Sequence, residues 1–222
     1  MSIRFLPFLI TAAWLACSIS SGASHKRGRP VSATPGDFNY YLLSMSWAPD
    51  FCAQTGVQKS ERECGAGRHV GFVIHGLWPQ VDSGRSPQEC APARPVGSEI
   101  VNSMLPLMPS EGLIQHEWRE HGTCSGTSAS EYFANVRKAF NSVKVPREYA
   151  GLSHPIQANP SEIESRFAAA NPAFPRAAFR VSCKNNELEE VRVCFSKTLE
   201  ARACTASAGE CRASAITMRP LR

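Results

Sequence analysis

Nine cysteines in 222 residues constrain this chain more than any apolar pattern in it. One of them, Cys17, lies in a segment that reads as a secretory signal peptide over residues 1–23. Arg4 supplies a positive start, Phe5 to Ile19 is largely apolar, and Ser21-Gly22-Ala23 offers a small-residue cleavage site. The apolar stretch is too short for a membrane span. Trp14 stands where a lipoprotein signal ending at Cys17 would carry a small aliphatic residue. The other eight, Cys52, Cys64, Cys90, Cys124, Cys183, Cys194, Cys204 and Cys211, are even in number. In an exported chain they predict four disulfides and a secreted or periplasmic setting. A zinc site would need paired C-x-x-C spacing, and none occurs. Spacing leaves the pairing open, because eight cysteines allow about 105 connectivities.

Without the signal segment the formal charge falls from +5 to +4, since Arg4 is its only charged residue. That balance suits a polyanionic partner without demanding one. The one basic run, Lys26-Arg27-Gly28-Arg29, falls in a loose leader over residues 24–36, leaving 37–222 as the expected domain. Phe38 to Trp47 has strand-like composition and Ala48-Pro49-Asp50 is expected to end it. Cys52 to Gly67 reads as a disulfide-tied loop. His69 to His75 reads as a buried strand, with Gly76-Leu77-Trp78-Pro79 turning out of its end, and Gln80 to Gly97 as loop. Helices are expected over Ser98–Leu105, over Leu113 to about His121, after the capping-box pattern Ser128-x-x-Glu131, and after a similar pattern starting at Ser161. Phe179–Cys183 and Leu188–Phe195 predict a hairpin around Asn185-Asn186. Together these predict an α+β domain, a central antiparallel β-sheet flanked by helices and stabilised by disulfides.

The chemistry concentrates in His116-Glu117-Trp118-Arg119-Glu120-His121-Gly122-Thr123-Cys124. On a helix, His116, Glu117, Glu120 and His121 fall at roughly 0°, 100°, 40° and 140°, sharing one face, with Trp118 directed oppositely toward a core. A face so dense in groups that titrate near neutrality reads as half of an acid–base site. The other half is His75, at the exit of an apolar strand in Phe72-Val73-Ile74-His75-Gly76-Leu77-Trp78-Pro79. Gly76 permits close approach of backbone or ligand, and Trp78 offers a surface on which a nucleobase can stack.

These two segments resemble the two active-site signatures of the ribonuclease T2 family of secreted endoribonucleases. The likeness extends to Trp47-Ala48-Pro49 with Phe51-Cys52 and covers roughly Phe38 to Cys211. It implies cleavage of single-stranded RNA by its own 2′-hydroxyl, giving a 2′,3′-cyclic phosphate and then a 3′-phosphate. It implies His121 as general base, His75 as general acid, His116 as phosphate binder and Glu117 as transition-state stabiliser. Trp78, Gln80 and Asp82 would belong to a base pocket. The implied disulfides are Cys52–Cys64, Cys90–Cys124, Cys183–Cys211 and Cys194–Cys204. Two imidazoles, one neutral and one protonated, suffice for this reaction near pH 5–7, so no metal or cofactor is called for. No membrane association is expected once the signal segment is gone, and a monomer is the default.

Residue 120 departs from the family pattern, which commonly has Lys where this chain has Glu120. A carboxylate about 4 Å from a phosphate would cost on the order of 4 kcal/mol at an effective dielectric of 20, unless protonated or paired. Arg119, at the edge of the helical face, would have to swing round to supply the missing charge; alternatively Glu120 simply pairs with a neighbouring cation. An acidic optimum is expected, because acid neutralises Glu120 and charges His116. Two other readings are weighed. A zinc hydrolase fails on spacing, since His116 and His121 are five apart where helical chelation wants four. An inactive RNA-binding or storage relative would explain Glu120 but leaves both histidines without a purpose.

Overall fold

Alternation in the first strand divides the molecule into two unequal halves. The computed structural model describes residues 34–55 and 61–221, together with Met1; the rest of the expected signal peptide and all but the last three residues of the leader lie outside them. Strand β1 (Tyr40–Trp47) sends Tyr41, Leu43, Met45 and Trp47 into the main core, and Tyr40 and Leu42 into a small cluster on the opposite face. Helices α1 (Ala48–Thr55) and α2 (Glu61–Cys64) follow. Strand β2 (Phe72–Gln80) returns antiparallel to β1. Helices α3 (Ser98–Met104), α4 (Glu111–Glu120), α5 (Ala129–Ser142) and α6 (Arg147–Ala150) form the middle of the chain. The chain ends with β3 (Ile156–Ala158), α7 (Pro160–Ala170), β4 (Phe179–Lys184), β5 (Glu187–Phe195) and β6 (Ile216–Met218).

The sheet runs β2-β1-β5-β6-β3, with β4 also paired to β5. The pairings are antiparallel except a single parallel contact, Glu187 against Thr217, between β5 and β6. The α+β prediction holds. Helices and strands bury one continuous core in which Trp47, Tyr132, Tyr149, Phe167 and Phe179 are fully enclosed. The hairpin prediction holds too. Asn185 and Asn186 have φ of 54° and 58°, the left-handed pair a two-residue turn requires and Asn tolerates.

Several local expectations give way. Ala48-Pro49-Asp50 does not merely end β1 but opens α1, because Pro is tolerated in a first helical turn. The supposed loop from Cys52 to Gly67 contains the C-terminal half of α1 and the whole of α2, stapled to each other by Cys52–Cys64. The cap of α7 is Asn159, whose side chain accepts from Ser161 N–H, with Pro160 in the first turn. The capping box at Ser128 and Glu131 forms in full. Near the end of the leader, Gly36 is pinned: its N–H donates to Cys124 O, and its carbonyl accepts from Lys197 Nζ.

The largest revision concerns β2. It does not end at His75 but runs on to Gln80, and His75 is a β-bulge. Ser44 pairs with Gly76 and Met45 with Ile74, so one extra residue of β2 has no partner on β1. Regular alternation from Trp78 and Gly76 would aim residue 75 into the main core alongside Leu77. The bulge instead turns two successive side chains the same way, and His75 emerges on the polar face. The Tyr132 hydroxyl donates to Leu77 O at 2.9 Å and holds the strand there.

Candidate active site

The site is built on the face of the sheet opposite the main core. Its floor is β1 at Ser44 and Ser46, flanked by Gly76 of β2 and by Arg192 and Glu190 of β5. His75 Nδ1–H donates to Glu190 Oε1 at 2.5 Å, which leaves Nε2 as the free ring nitrogen, 3.8 Å from Glu117 Oε1. The other oxygen of Glu117 accepts from Trp78 Nε1 at 2.8 Å. Trp78 is edge-on to His75 at 5.2 Å between ring centroids, and it also meets His121, tilted by 37°, at 5.4 Å. The indole thus joins the two imidazoles, one from the sheet and one from the helix end. Gly76 is obligatory here: a Cβ would lie 2.0 Å from Glu117 Oε2 and 2.4 Å from Trp78 Nε1. The close approach anticipated at Gly76 is made by the protein's own carboxylate.

Of the four groups expected on one helical face, only His116, Glu117 and Glu120 belong to helix α4. It starts at the Ser110 cap and ends at Glu120. His121 leaves the helix with φ −120° and ψ −42° before a 3-10 turn over Gly122–Ser125. Glu117 is buried against β2 at 1 % exposure, whereas His116 is exposed. Trp118 packs toward Tyr132 and lies over Gly122, where a Cβ would come within 2.3 Å of the indole. The disulfide Cys90–Cys124 fastens this turn to the 81–97 loop, as does the Glu89 N–H donated to Glu120 O. The remaining disulfides are Cys183–Cys211 and Cys194–Cys204.

Arg119 lies beside His116 without a large excursion. Its Nη2 is 3.0 Å from His116 Nδ1 and 3.2 Å from Glu120 Oε1, and Glu120 is 3.9 Å from His116 Nδ1. Of the two options for Glu120, pairing with a neighbouring cation is the one realised. Gln80 is buried and accepts from Ser86 Oγ at 2.7 Å. It lines a cleft of about 430 Å³ with Trp78, Arg85, Gln88, His121 and Arg192. Asp82 stands outside this cleft, paired with Arg202 at 2.9 Å.

The electrostatics separate the two half-buried histidines. Burial, reinforced by the positive charges of His116 and His75, drives His121 down to about 3. Its Nδ1 is buried without a hydrogen-bond partner. Burial works against the His75 imidazolium as well. The hydrogen bond and charge of Glu190, with the charge of Glu117, outweigh it and hold His75 above the ordinary histidine value. Glu117 is pushed up to about 7 by burial, against the opposing influences of His75 and Trp78. Glu190 is equally enclosed, yet His75 and Arg192 bring it down to about 2. The same fold therefore keeps one imidazole neutral and favours the charged form of the other.

Glu190 and Arg192 were not singled out in the sequence. Their signal is faint: two charged residues two apart on a strand that carries four charged residues among its nine. Nothing local tells which face of β5 meets His75.

A disulfide-tied α+β domain with two imidazoles of opposite electrostatic bias across one indole defines a class, an acid–base site assembled from a sheet edge and a helix end. The model of the ribonuclease T2 family matches residues 38–204, and the chain belongs to that family. A probable ribonuclease of Haemophilus influenzae is 33% identical over 180 residues, 75% of this chain and 61% of the relative. A ribonuclease of Aeromonas hydrophila is 39% identical over 97 residues, 44% of this chain and 42% of the relative. The chain thus spans less than two thirds of the length of either. Among solved structures, a mutant of ribonuclease MC1 (from bitter gourd seeds) in complex with 5′-UMP shares the fold. Its TM-score is 0.60 at 22% identity, covering 81% of this chain and 97% of that one.

Proposed function

We propose that the protein is an endoribonuclease that cleaves single-stranded RNA by intramolecular attack of the 2′-hydroxyl, with His121 as base and His75 as acid. The observation that carries this reading is the opposite bias of the two histidines that both pack against Trp78. A neutral His121 has a lone pair to take the 2′ proton. A bound phosphate anion raises its proton affinity from the low value of the free site. His75 Nε2–H, opposite the nitrogen held by Glu190, gives its proton to the departing 5′-oxygen. The product is a 2′,3′-cyclic phosphate, and slow hydrolysis by the reverse proton traffic gives a 3′-phosphate.

Glu117 is protonated below about pH 7. In that form its Oε1 can donate a hydrogen bond to a phosphorane oxygen rather than repel it. That, with a protonated His75, favours a mildly acidic optimum. His116 and Arg119 add donors for the phosphate at the rim, and the cleft lined by Trp78 and Gln80 suits a nucleobase. The 5′-UMP complex of ribonuclease MC1 supports a nucleotide-sized ligand for this fold. Four disulfides support export to an oxidising compartment. Among the described residues no helix is long and apolar enough to cross a membrane.

The test is RNA cleavage by the purified protein, with His75→Ala and His121→Ala alongside. Each substitution should slow cleavage by about 10²-fold or more, within the usual range for general acid–base groups. Cyclic phosphate ends should accumulate, and chelation of divalent ions should change nothing. Full activity in either variant, or loss of activity with EDTA, would overturn the proposal.

A further inference from the structure

We propose that Glu190 is a positioning residue for this reaction, gripping Nδ1 of His75 across the middle strand so that Nε2–H faces the departing oxygen. The inference rests on His75 acting as the proton donor. Glu190 is on β5 and His75 on β2, and β1 runs between them. The β1 residues facing the site are Ser44 and Ser46, opposite Arg192 and Glu190, and Gly76 lies opposite Ser44 on the far side. Small side chains along this row leave room for a β5 carboxylate to reach an imidazole two strands away. The bulge in β2 delivers the imidazole to meet it.

The carboxylate is held at both oxygens. Oε1 accepts from His75, while Oε2 accepts from Arg192 Nε at 2.8 Å and pairs with Nη2 at 2.7 Å. Arg192 is fixed in turn, because Nη1 donates to Ala208 O at 2.9 Å. The next residue, Gly209, has φ +78°, and a Cβ there would lie 2.6 Å from Nη1. Ala208 and Gly209 fall between Cys204 and Cys211, which are bridged to Cys194 on β5 and Cys183 on β4. A chain of fixed contacts therefore runs from a doubly crosslinked loop through Arg192 and Glu190 to the imidazole. A carboxylate so placed sets ring orientation and stabilises the imidazolium, as an orienting acid does for a catalytic histidine. Other charged groups near His75 are Glu117 and His121 at the end of α4, and Glu63 of α2, Lys184 of β4 and Glu189 of β5 around the adjoining cleft.

The experiment compares two leaving groups. RNA expels an alkoxide that needs a proton, whereas a nucleoside 3′-(4-nitrophenyl phosphate) expels a phenolate that does not. In both, the 2′-oxygen–phosphorus bond forms as the phosphorus–leaving-group bond breaks, and the 2′ proton passes to His121. Only with RNA does Nε2 of His75 give up its proton. Glu190→Gln should slow RNA cleavage by about 10- to 100-fold, part of what a general acid supplies, and change the nitrophenyl ester rate by no more than about threefold. Removing the negative charge lowers the proton affinity of His75, so the alkaline limb of the RNA profile should move to lower pH. Glu190→Asp keeps the charge and should recover part of the rate, with the limb near its original position. Equal loss on both substrates, or an unmoved limb in Glu190→Gln, would overturn the inference. Should His75→Ala also lose activity equally on both substrates, the proton-donor role itself fails, a different result from failure at Glu190 alone.

Discussion

Replacing Glu117 by Gln removes a carboxylate that is 1 % exposed and keeps an amide oxygen for the Trp78 indole N–H. Burial moves this carboxyl from 4.5 to about 7. At about 1.4 kcal/mol per pKa unit, the folded state prefers the protonated form by about 3 kcal/mol relative to the unfolded chain. The folded-state pKa is raised, so this stability is fully present below pH 4.5 and is lost as pH rises through 7. Above pH 7 the native protein holds a buried carboxylate at a cost that Gln avoids. Glu117→Gln should therefore be more stable than the parent by up to about 3 kcal/mol at pH 8, and indistinguishable from it at pH 4. For a domain of this size about 2–4 °C accompanies each kcal/mol, giving a melting difference of about 6–12 °C at pH 8. Thermal unfolding followed by circular dichroism at both pH values, disulfides intact, reads it directly. RNA cleavage should fall in the same variant, because the donor to the phosphorane is altered. A melting difference equal at pH 4 and pH 8, or a variant less stable at pH 8, would refute the assignment of Glu117 as a group held at a stability cost.

Two more substitutions probe the site from other directions. Gly76→Ala forces a Cβ to within 2.0 Å of Glu117 Oε2; overpacking of this kind costs about 1–3 kcal/mol, and the displaced carboxyl should cut RNA cleavage by more than tenfold while the circular dichroism spectrum of the fold persists. Glu120→Lys removes the carboxylate 3.2 Å from Arg119 and should raise the RNA cleavage rate roughly tenfold at neutral pH, well short of the ~4 kcal/mol allowed by Coulomb's law at 4 Å, because solvent screens the rim. A lower rate at every pH would show that Glu120 serves the reaction as it stands.

Much of the architecture was legible because it depends on local pattern. The β-prone composition of Phe38–Trp47, the Ser128 capping box, the Asn185-Asn186 turn and the stripes of α5 and α7 are short-range signals that need no partner to be read. Where the reading failed, a local rule had two outcomes. Pro49 can stop a strand or start a helix, and here it does both. The segment from Cys52 to Gly67 is polar, which suits a loop, but it carries the end of one short helix and the whole of another, joined by a disulfide.

By itself the sequence determined the kind of chemistry: two histidine-bearing segments, a glycine that permits a close approach, an indole two residues beyond it and enough cysteines to crosslink the domain. Tertiary structure decided how those groups are used. A one-residue bulge fixed the face on which His75 emerges, and strand parity cannot reveal it because a single inserted residue reverses every side chain beyond it. The order β2-β1-β5 brought Glu190 and Arg192 to the site from more than a hundred residues away in the chain. Burial, which is a property of the whole fold, set His121 low and Glu117 high, while the partners gathered around His75 and Glu190 reversed its effect there, giving identical residue types opposite protonation states.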